Sequence, residues 1–498
     1  MLHSATRRLQ LFFGSPTFFY IILGFFIFEA LWFVFSAVYP MPFDEEFHFG
    51  LIKLYSHHWL PFLASQPSGA DGFGAVARDP SYLYHYVLSF PYRLITWATS
   101  NETTQVILLR LMNVSLFTYG LWLFRKLLLR VGSSLALTHV ALAIFVLIPV
   151  VPQLAAHINY DNGFMVLVPL LCLQVVNIIQ GLQKRRIDVQ MILLAIITSF
   201  AMSLIKYAAL PMVLACALFV AVSAARHFRG RYANIGKELV RGYRGIRLST
   251  KVLLLGAIFI GVVLFSQRYV INLVQYKTPV PDCGAVLSVK QCSAYGPWNR
   301  DYQYAQNKTA DFRPDPVHFM DGWPQGMWHR LFFAINGVRA HYMNYRELPV
   351  PSQTATILAI VGLFALVLYF RPVFRGQELL AFLLTFVLVY VAVLWADGYE
   401  AYQRTGHIVA INGRYLLPVL LPLAAIMGRA LSLAWKKNPT MKVWLATFVI
   451  ALFLHGGGIF TFILRSDSTW YWPNQTVNHV NNAARKVLAP VIIEGHNK

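Results

Sequence analysis

The stretch FFYIILGFFIFEALWFVFSAVY, residues 18–39, carries one charged side chain, that of Glu29. About 20 mainly apolar residues in a helix cross the hydrocarbon core of a bilayer. The stretch follows Arg7 and Arg8, exceeds the apolar core of a signal peptide and lacks a small-residue cleavage site. We therefore expect it to remain in the protein as the first membrane-spanning helix.

Similar apolar runs recur along the chain. Hydrophobic residues make up 57% of the 498 positions and charged residues 13%, against about 25% charged in soluble domains. The pattern predicts an all-α polytopic membrane protein of about 11 spanning helices (range about 10–13) with outer juxtamembrane helices and loops. Stretch 81–98 contains Pro91 and Arg93, so we expect it at the interface or re-entering. The ten later runs begin near Val106, Ser134, Gly163, Val189, Ala208, Lys251, Thr354, Gln377, Tyr415 and Lys442.

Basic residues gather in every second connection between the runs. Of the 21 acids, only Asp188, Glu238 and Glu378 lie on that side. The positive-inside rule then predicts a cytoplasmic amino terminus and an extracytoplasmic carboxy terminus. Because the cations lie between apolar segments and not on one soluble surface, the net charge of +21 predicts a lipid bilayer as partner and no nucleic acid. The basic connections are 125–130, 183–186, 226–251, 371–375 and 435–442.

This orientation places two long connections outside, 40–105 and 273–352. Cys283 and Cys292 share the second one, and an oxidising compartment would allow them to form a disulfide. The expected division of the chain is a transmembrane core with its first outer loop, an extracytoplasmic region, a second set of spanning helices and an extracytoplasmic tail, at 1–272, 273–352, 353–464 and 465–498.

The segment YPMPFDEEFHFG, residues 39–50, brings Asp44, Glu45, Glu46 and His48 to the end of the first helix. A carboxylate beside a low-dielectric slab has a raised pKa, which suits a general base acting on a sugar hydroxyl. Asp44 and Glu45 are the candidates for that base. A solvated acidic loop start is the alternative interpretation.

The short outer connection HINYDNG, residues 157–163, adds His157, Asp161 and Asn162 on the same side. Asp44, Glu45, His48, His157 and Asp161 together offer enough oxygen and nitrogen ligands for a divalent ion such as Mg or Mn, with Asp44 and Asp161 as the candidate ligands. No spacing here is diagnostic of a metal. Capping of the following helix is the other role open to Asp161.

Two cations stand at outer helix ends. Lys206 lies in SLIKYAALP and Arg414 in INGRYLLPVLLP, where it precedes Tyr415. A cation flanked by apolar residues requires an anionic partner or a route to the interface, so a phosphate clamp and simple snorkelling both remain open. His85, in DPSYLYHY, is a further candidate for substrate binding or proton transfer.

Five segments in order resemble motifs of the GT-C superfamily of integral membrane glycosyltransferases that use polyprenyl-phosphate-linked sugars. They are DEEFHF (44–49), DPSYLYHY (79–86), INYDNGFMVLVPL (158–170), SLIKYAALPMVL (203–214) and INGRYLLPVLLPLA (411–424). The last looks like the G-R-Y-L-L-P helix of a bacterial branch. The chain departs from the metal-binding Asp-x-Asp pattern, since the second loop has only Asp161, and no large carboxy-terminal soluble domain follows the last run.

The resemblance implies a GT-C-like bundle in a bacterial plasma (inner) membrane. It implies inverting transfer of a sugar from a polyprenyl-(di)phosphate donor to an acceptor hydroxyl on a sugar, lipid or glycan, with Asp44 or Glu45 as base. The substrate-binding residues would be His48, His85, Asp161, Lys206, Arg414 and Tyr415.

Three other functions remain open at this stage. A transporter or flippase of lipid-linked sugars would bind the same head group without cleaving a bond, although such sites usually lie near the bilayer midplane. A purely structural membrane subunit is a further alternative. An O-antigen polymerase or ligase would rely on outer-loop cations, here Arg300, Arg313, His318, His329, Arg330 and His341.

Overall fold

The computed structural model describes residues 2–42, 44–309, 311–332 and 350–492, and over these ranges the chain is helical, without a β-strand. The all-α class predicted from the sequence is therefore confirmed. Residues up to the start of the large outer region form α1 (Leu2–Phe13), α2 (Pro16–Ser36), α3 (Glu45–Ser56), α4 (Leu83–Ala98), α5 (Glu102–Arg130), α6 (Leu135–Val146), α7 (Val150–Ala155), α8 (Tyr160–Gln183), α9 (Val189–Ile205), α10 (Leu210–His227), α11 (Ala233–Gly245), α12 (Leu248–Phe265) and α13 (Ile271–Tyr276).

The rest of the described chain contains four shorter helices followed by a second set that includes the remaining long ones. They are α14 (Cys283–Val286), α15 (Val289–Cys292), α16 (Gly296–Gln306), α17 (Pro316–His329), α18 (Val350–Leu368), α19 (Phe370–Phe374), α20 (Glu378–Thr405), α21 (Leu417–Ala434), α22 (Pro439–Leu454), α23 (Ile459–Arg465) and α24 (Gln475–Leu488).

Nine helical segments of the described chain are long and apolar enough to cross a membrane. Each of the eleven apolar runs coincides with a helix, but α6 and α9 have only 12 and 17 residues. The protein is thus a polytopic helical membrane protein. Stretch 81–98, expected at the interface or re-entering, forms α4, a helix that packs on α3.

Local sequence sets where these helices begin. The side chains of Ser15, Asn101, Ser134 and Asp188 accept hydrogen bonds from backbone amides in the first turns of α2, α5, α6 and α9. Such caps satisfy amides that have no partner within the helix. Gly120 lets α5 approach α8 closely, since a Cβ at that position would lie 2.7 Å from the Met165 carbonyl oxygen.

The helix bundle has two chemically different ends. At one end, Glu378 accepts hydrogen bonds from Gln183 and Ser223 at 3.0 and 2.7 Å and lies 2.9 Å from His227 Nε2. These contacts bring the ends of α8 and α10 to the start of α20. We call this the basic end, because the basic connections lie there. The opposite termini of α8 and α9 carry Asp161 and Lys206, and we call that the site end.

The segment after α23, expected as a tail, packs back onto the carboxy-terminal end of α2. Its backbone forms two hydrogen bonds there, one to the last residue of α2 and one just beyond it: Trp472 N–H donates to the Ser36 carbonyl at 3.0 Å, and Val38 N–H donates to the Trp470 carbonyl at 2.8 Å. Asn481 in α24 then accepts a hydrogen bond from Trp32 at 2.9 Å. The carboxy-terminal segment therefore helps to build the site end.

Candidate active site

Four charged side chains of alternating sign meet at the site end. Arg414 Nη2 donates to Asp44 Oδ2 at 2.7 Å, and Lys206 Nζ donates to Asp161 Oδ1 at 2.6 Å. Arg414 Nε lies 3.4 Å from Asp161 Oδ2, within ion-pair range but outside hydrogen-bond geometry. The sequence analysis located these acids and cations at four separate helix ends, and the structure joins them in one continuous network. Two of its members, Asp44 and Arg414, are 370 positions apart in the chain.

Asp44 is the accessible member of this network. It precedes α3 in the left-handed backbone region with φ 69°, and its side chain is 52% exposed. Its partner Arg414 is only 2% exposed. The side chain of Asn412 accepts a hydrogen bond from the Arg414 amide, and a Cβ at Gly413 would lie 2.5 Å from the Leu331 nitrogen. A tightly packed turn therefore holds the buried Arg414 side chain next to the exposed carboxylate of Asp44.

The inner pair, Asp161 and Lys206, is buried. Asn159 caps α8 through the Asp161 amide, while α9 ends at Ile205 and leaves Lys206 in extended conformation. The Lys206 ammonium lies 4.5 Å from the Tyr415 ring centroid and 5.1 Å from that of Tyr160. Lys206 therefore does not snorkel in this arrangement, because a carboxylate and aromatic faces surround its charge.

Glu45, one residue from Asp44, has a different environment. It is fully buried, and Arg110 Nε and Nη2 bind its two carboxylate oxygens at 2.9 and 2.7 Å. The amides of Met41 and Ile158 also donate to it, at 2.8 and 3.2 Å. Burial is the largest single influence and raises the pKa of this carboxyl, but the charges of Arg110 and His157 and the hydrogen bonds together outweigh it, so the pKa lies below its ordinary value. Glu45 therefore fixes the start of α3 to α5.

Two histidines join the neighbouring helices α3 and α4. His48 Nδ1 lies 2.8 Å from His85 Nε2, and both rings are buried. Burial lowers the pKa of His85 to about 3, and burial with nearby cationic groups holds the pKa of His48 well below its ordinary value. The pair is therefore neutral near pH 7. The Tyr160 ring contacts both this pair and Lys206: it is perpendicular to the His48 ring at 4.7 Å between centroids, and its centroid lies 5.1 Å from the Lys206 ammonium.

Tyr295, which the sequence did not single out, lies close to the network. Its amide donates to the Cys292 carbonyl at 2.9 Å, and Cys292 forms a disulfide with Cys283. The Tyr295 ring lies 5.8 Å from that of Phe47. Burial raises the pKa of the Tyr295 phenol, and the carboxylates of Asp79 and Asp44 raise it further. The disulfide segment thus brings a phenol near the exposed acid.

A divalent ion does not fit between the two candidate metal ligands as they stand. Arg414 bridges Asp44 and Asp161, so a guanidinium takes the place that a cation between them would fill. No group of three or more His, Cys, Asp or Glu side chains suited to a metal occurs in the described ranges. We therefore derive no chemical step through a metal ion.

Five of the six residues that would serve a polymerase or ligase lie in the described part of the chain. Arg300 pairs with its neighbour Asp301 at 2.7 Å, and the His318 ring lies 6.2 Å from the Tyr402 ring. Arg330 donates to the Ile411 carbonyl, close in sequence to Arg414. Arg313 is exposed in the turn before α17, His329 ends α17, and His341 lies outside the described residues.

Tyr415 contributes its ring face and its backbone to this arrangement. Its carbonyl accepts a hydrogen bond from the Tyr390 hydroxyl at 2.9 Å, which ties the arginine turn to α20. Asp44, Asp161, Lys206, Arg414 and Tyr415 thus form one site, with His48 and His85 next to it. Comparisons of the chain with protein-family models, with curated proteins and with solved structures returned no match.

Proposed function

We propose that this protein is an inverting glycosyltransferase that takes a sugar from a polyprenyl-(di)phosphate donor. The observation that carries the proposal is the network of Asp44, Arg414, Asp161 and Lys206 at one end of the membrane bundle. An accessible acid beside two buried cations offers a base and an anion clamp within one site. The proposal includes a GT-C-like bundle of about eleven spanning helices in a bacterial plasma membrane.

Asp44 is the proposed base, and Glu45 is not. Asp44 Oδ1 accepts no hydrogen bond from the described residues, whereas both oxygens of Glu45 are engaged. Asp44 takes the proton of the acceptor hydroxyl, and the oxygen of that hydroxyl bonds to the anomeric carbon of the donor sugar. The bond from that carbon to the phosphate oxygen breaks, and the polyprenyl phosphate leaves with the electron pair.

Protonation of Asp44 gives the network a net positive charge that can stabilise the leaving group. Its two acids and two cations balance before the reaction. When Asp44 gains a proton, the charge of Arg414 is no longer balanced, just as negative charge develops on the departing phosphate. Arginine suits this role because its fork can bind two phosphate oxygens. Lys206 adds a second charge at the same end of the bundle.

The position of the network favours transfer over transport. Transport sites for charged head groups usually lie near the bilayer midplane, on discontinuous helices. Here the charges lie at helix ends, and Asp44 is half exposed at the surface. An acceptor approaching from outside could therefore reach the base while the lipid tail of the donor remains among the spanning helices.

The proposal is tested with Asp44→Asn and a matched control, Glu46→Gln. Glu46 is an exposed acid two residues further on, so both changes remove one carboxylate from the same surface. Purified protein in proteoliposomes is given radiolabelled polyprenyl-phosphate hexoses and pentoses with membrane glycolipids as acceptors. We expect Asp44→Asn to lower transfer by 10²-fold or more, on the order of a lost general base, and Glu46→Gln to leave it near wild type.

Binding of the donor separates transfer from transport. Asp44→Asn keeps both cations, so donor affinity should stay within a few-fold of wild type while turnover is lost. Sugar transfer by Asp44→Asn at the wild-type rate would contradict the assignment of Asp44 as the base. Movement of intact donor across the vesicle membrane, with no sugar transferred, would favour the flippase instead. Assays in excess chelator show whether a divalent ion takes part.

A further inference from the structure

A basic segment at the opposite end of the bundle is not used by the proposed reaction. Residues 226–251 contain eight Lys or Arg residues and a single acid, Glu238. The segment includes α11 and the start of α12. Glu238 pairs with Arg241 at 2.8 Å, so one cation of the eight has an acidic partner within the segment. Most of its positive charge is uncompensated locally.

Three of these cations lie along one face of α11. Lys237, Arg241 and Arg244 follow the spacing i, i+4 and i+7, which puts side chains on one side of a helix. They line a shallow depression together with Gly236 and Val240. All three are exposed, and the Arg241 side chain is 80% exposed. The depression is open enough to admit a phosphate group.

A different face of α11 fixes its orientation. Gly242 packs against the start of α9, where a Cβ would lie 2.7 Å from both the Ile187 carbonyl oxygen and Val189 Cγ2. Ile246, just after the helix, is buried in the same cluster. The cations therefore cannot turn inward toward α9 without breaking this contact. They stay presented at the surface of the basic end.

An apolar stripe accompanies the cations. The exposed side chains of Leu239, Val240 and Tyr243 are 40, 51 and 41% accessible. The stripe continues into the lipid-facing side of α12, where Leu248 and Leu253 are 77 and 73% accessible. A helix with cations on one side and apolar residues on another matches the interface between head groups and acyl chains.

We propose that α11 binds the phosphate head groups of anionic phospholipids through Lys237, Arg241 and Arg244. Charge complementarity selects the occupant, since three exposed cations beside an apolar stripe match a lipid that carries a phosphate on an acyl tail. Three cations near an anionic surface should favour phosphatidylglycerol over phosphatidylcholine by about a hundredfold. This inference does not depend on the glycosyltransferase proposal.

The test counts lipid retained by the detergent-solubilised protein in native mass spectrometry. Phosphatidylglycerol and phosphatidylcholine with identical acyl chains are the probes. Wild type should retain phosphatidylglycerol preferentially, and Lys237→Gln/Arg241→Gln/Arg244→Gln should lose most of that preference. The matched control is Lys184→Gln/Lys436→Gln/Lys437→Gln, which removes the same charge from exposed lysines of two other connections at the basic end. It should behave as wild type.

Two outcomes would overturn the inference. One is equal retention of the two lipids by wild type, and the other is an equal loss of preference in the α11 and control variants, which would indicate general attraction by the basic end. If the triple variant fails to fold, Lys237→Gln/Arg244→Gln replaces it, because this pair leaves the Arg241–Glu238 contact intact. Unchanged preference in that double variant would also contradict the proposal.

Discussion

Arg110 and Glu45 show how strongly a single buried charge depends on its partner. Both side chains are fully inaccessible, and Arg110 also donates to the carbonyls of Ala37 and Val38 at 2.6 and 3.1 Å. The arginine therefore links α5, the end of α2 and the start of α3. Removing one member of such a pair leaves an uncompensated charge in a low-dielectric setting, which costs far more than the loss of an exposed pair.

We predict that Glu45→Gln lowers the free energy of unfolding by about 3–5 kcal/mol. The exposed pair between Lys53 and Glu102, at 3.0 Å, supplies the control, and Glu102→Gln should cost about 0–1 kcal/mol. Unfolding in mixed micelles of increasing denaturing detergent measures both. Equal, small effects would mean that Glu45 is not a structural anchor and would return it to the list of candidate bases.

At the level of residues, the sequence was sufficient to select charged side chains at the ends of the spanning helices. Asp44, Asp161, Lys206 and Arg414 could be selected because charges beside apolar runs require a reason. The pairing of Glu45 with Arg110 could not be predicted, because it joins positions 65 residues apart. The available signal was Arg110 itself, a cation inside an apolar run. Nothing in the sequence distinguished Asp44 from Glu45.

The contribution of the contact between α3 and α4 to the stability of the protein depends on pH. His48 and His85 stay neutral in the folded protein because their pKa values are lowered, whereas in the unfolded chain they take up protons near pH 6.5. A depressed folded pKa means that stability is fully present above pH 6.5 and falls as the pH drops toward about 3. Each histidine contributes about 1.4 kcal/mol per pH unit in that window.

We predict that His48→Asn/His85→Gln flattens the loss of stability between about pH 6.5 and 5, since the amides can replace the facing nitrogens without titrating. This window lies above the range in which Glu45 is protonated. Melting temperatures across the pH series provide the measurement, and His57→Gln, at an exposed position, is the control. An unchanged pH profile in the double variant would show that other groups dominate.

At the level of elements, apolar length was the reliable guide. All eleven runs became helices, although α6 ends after 12 residues because the chain turns at Leu147–Pro149 before α7. Helices α3 and α24, at the site end, are shorter and mixed in polarity, so hydropathy could not reveal them. Their positions depend on contacts with distant segments, such as that of Asn481 with Trp32.

Over the whole molecule, charge separates the two ends of the bundle. The site end carries Asp44 and Asp161, whereas the basic end carries the Lys- and Arg-rich connections. Basic connections stay in the cytoplasm during insertion. The site end should therefore face out of the cell.

We predict that Glu46→Cys reacts with a membrane-impermeant maleimide on intact cells, while Lys437→Cys reacts only after permeabilisation. The native background is low, because Cys172 and Cys216 are buried and Cys283 is bonded to Cys292. The reverse pattern of labelling would invert the orientation and place the candidate site in the cytoplasm.

The return of the carboxy-terminal segment to α2 has a consequence for biosynthesis. Trp472 donates from its indole to the Val34 carbonyl across 438 positions of chain, and its ring lies 5.2 Å from the Arg110 guanidinium. The first spanning helix to leave the ribosome, α2, must therefore wait for the last part of the protein before its carboxy-terminal end acquires all its partners. A nascent chain stalled shortly before residue 470 would contain the spanning helices and still lack a finished site end.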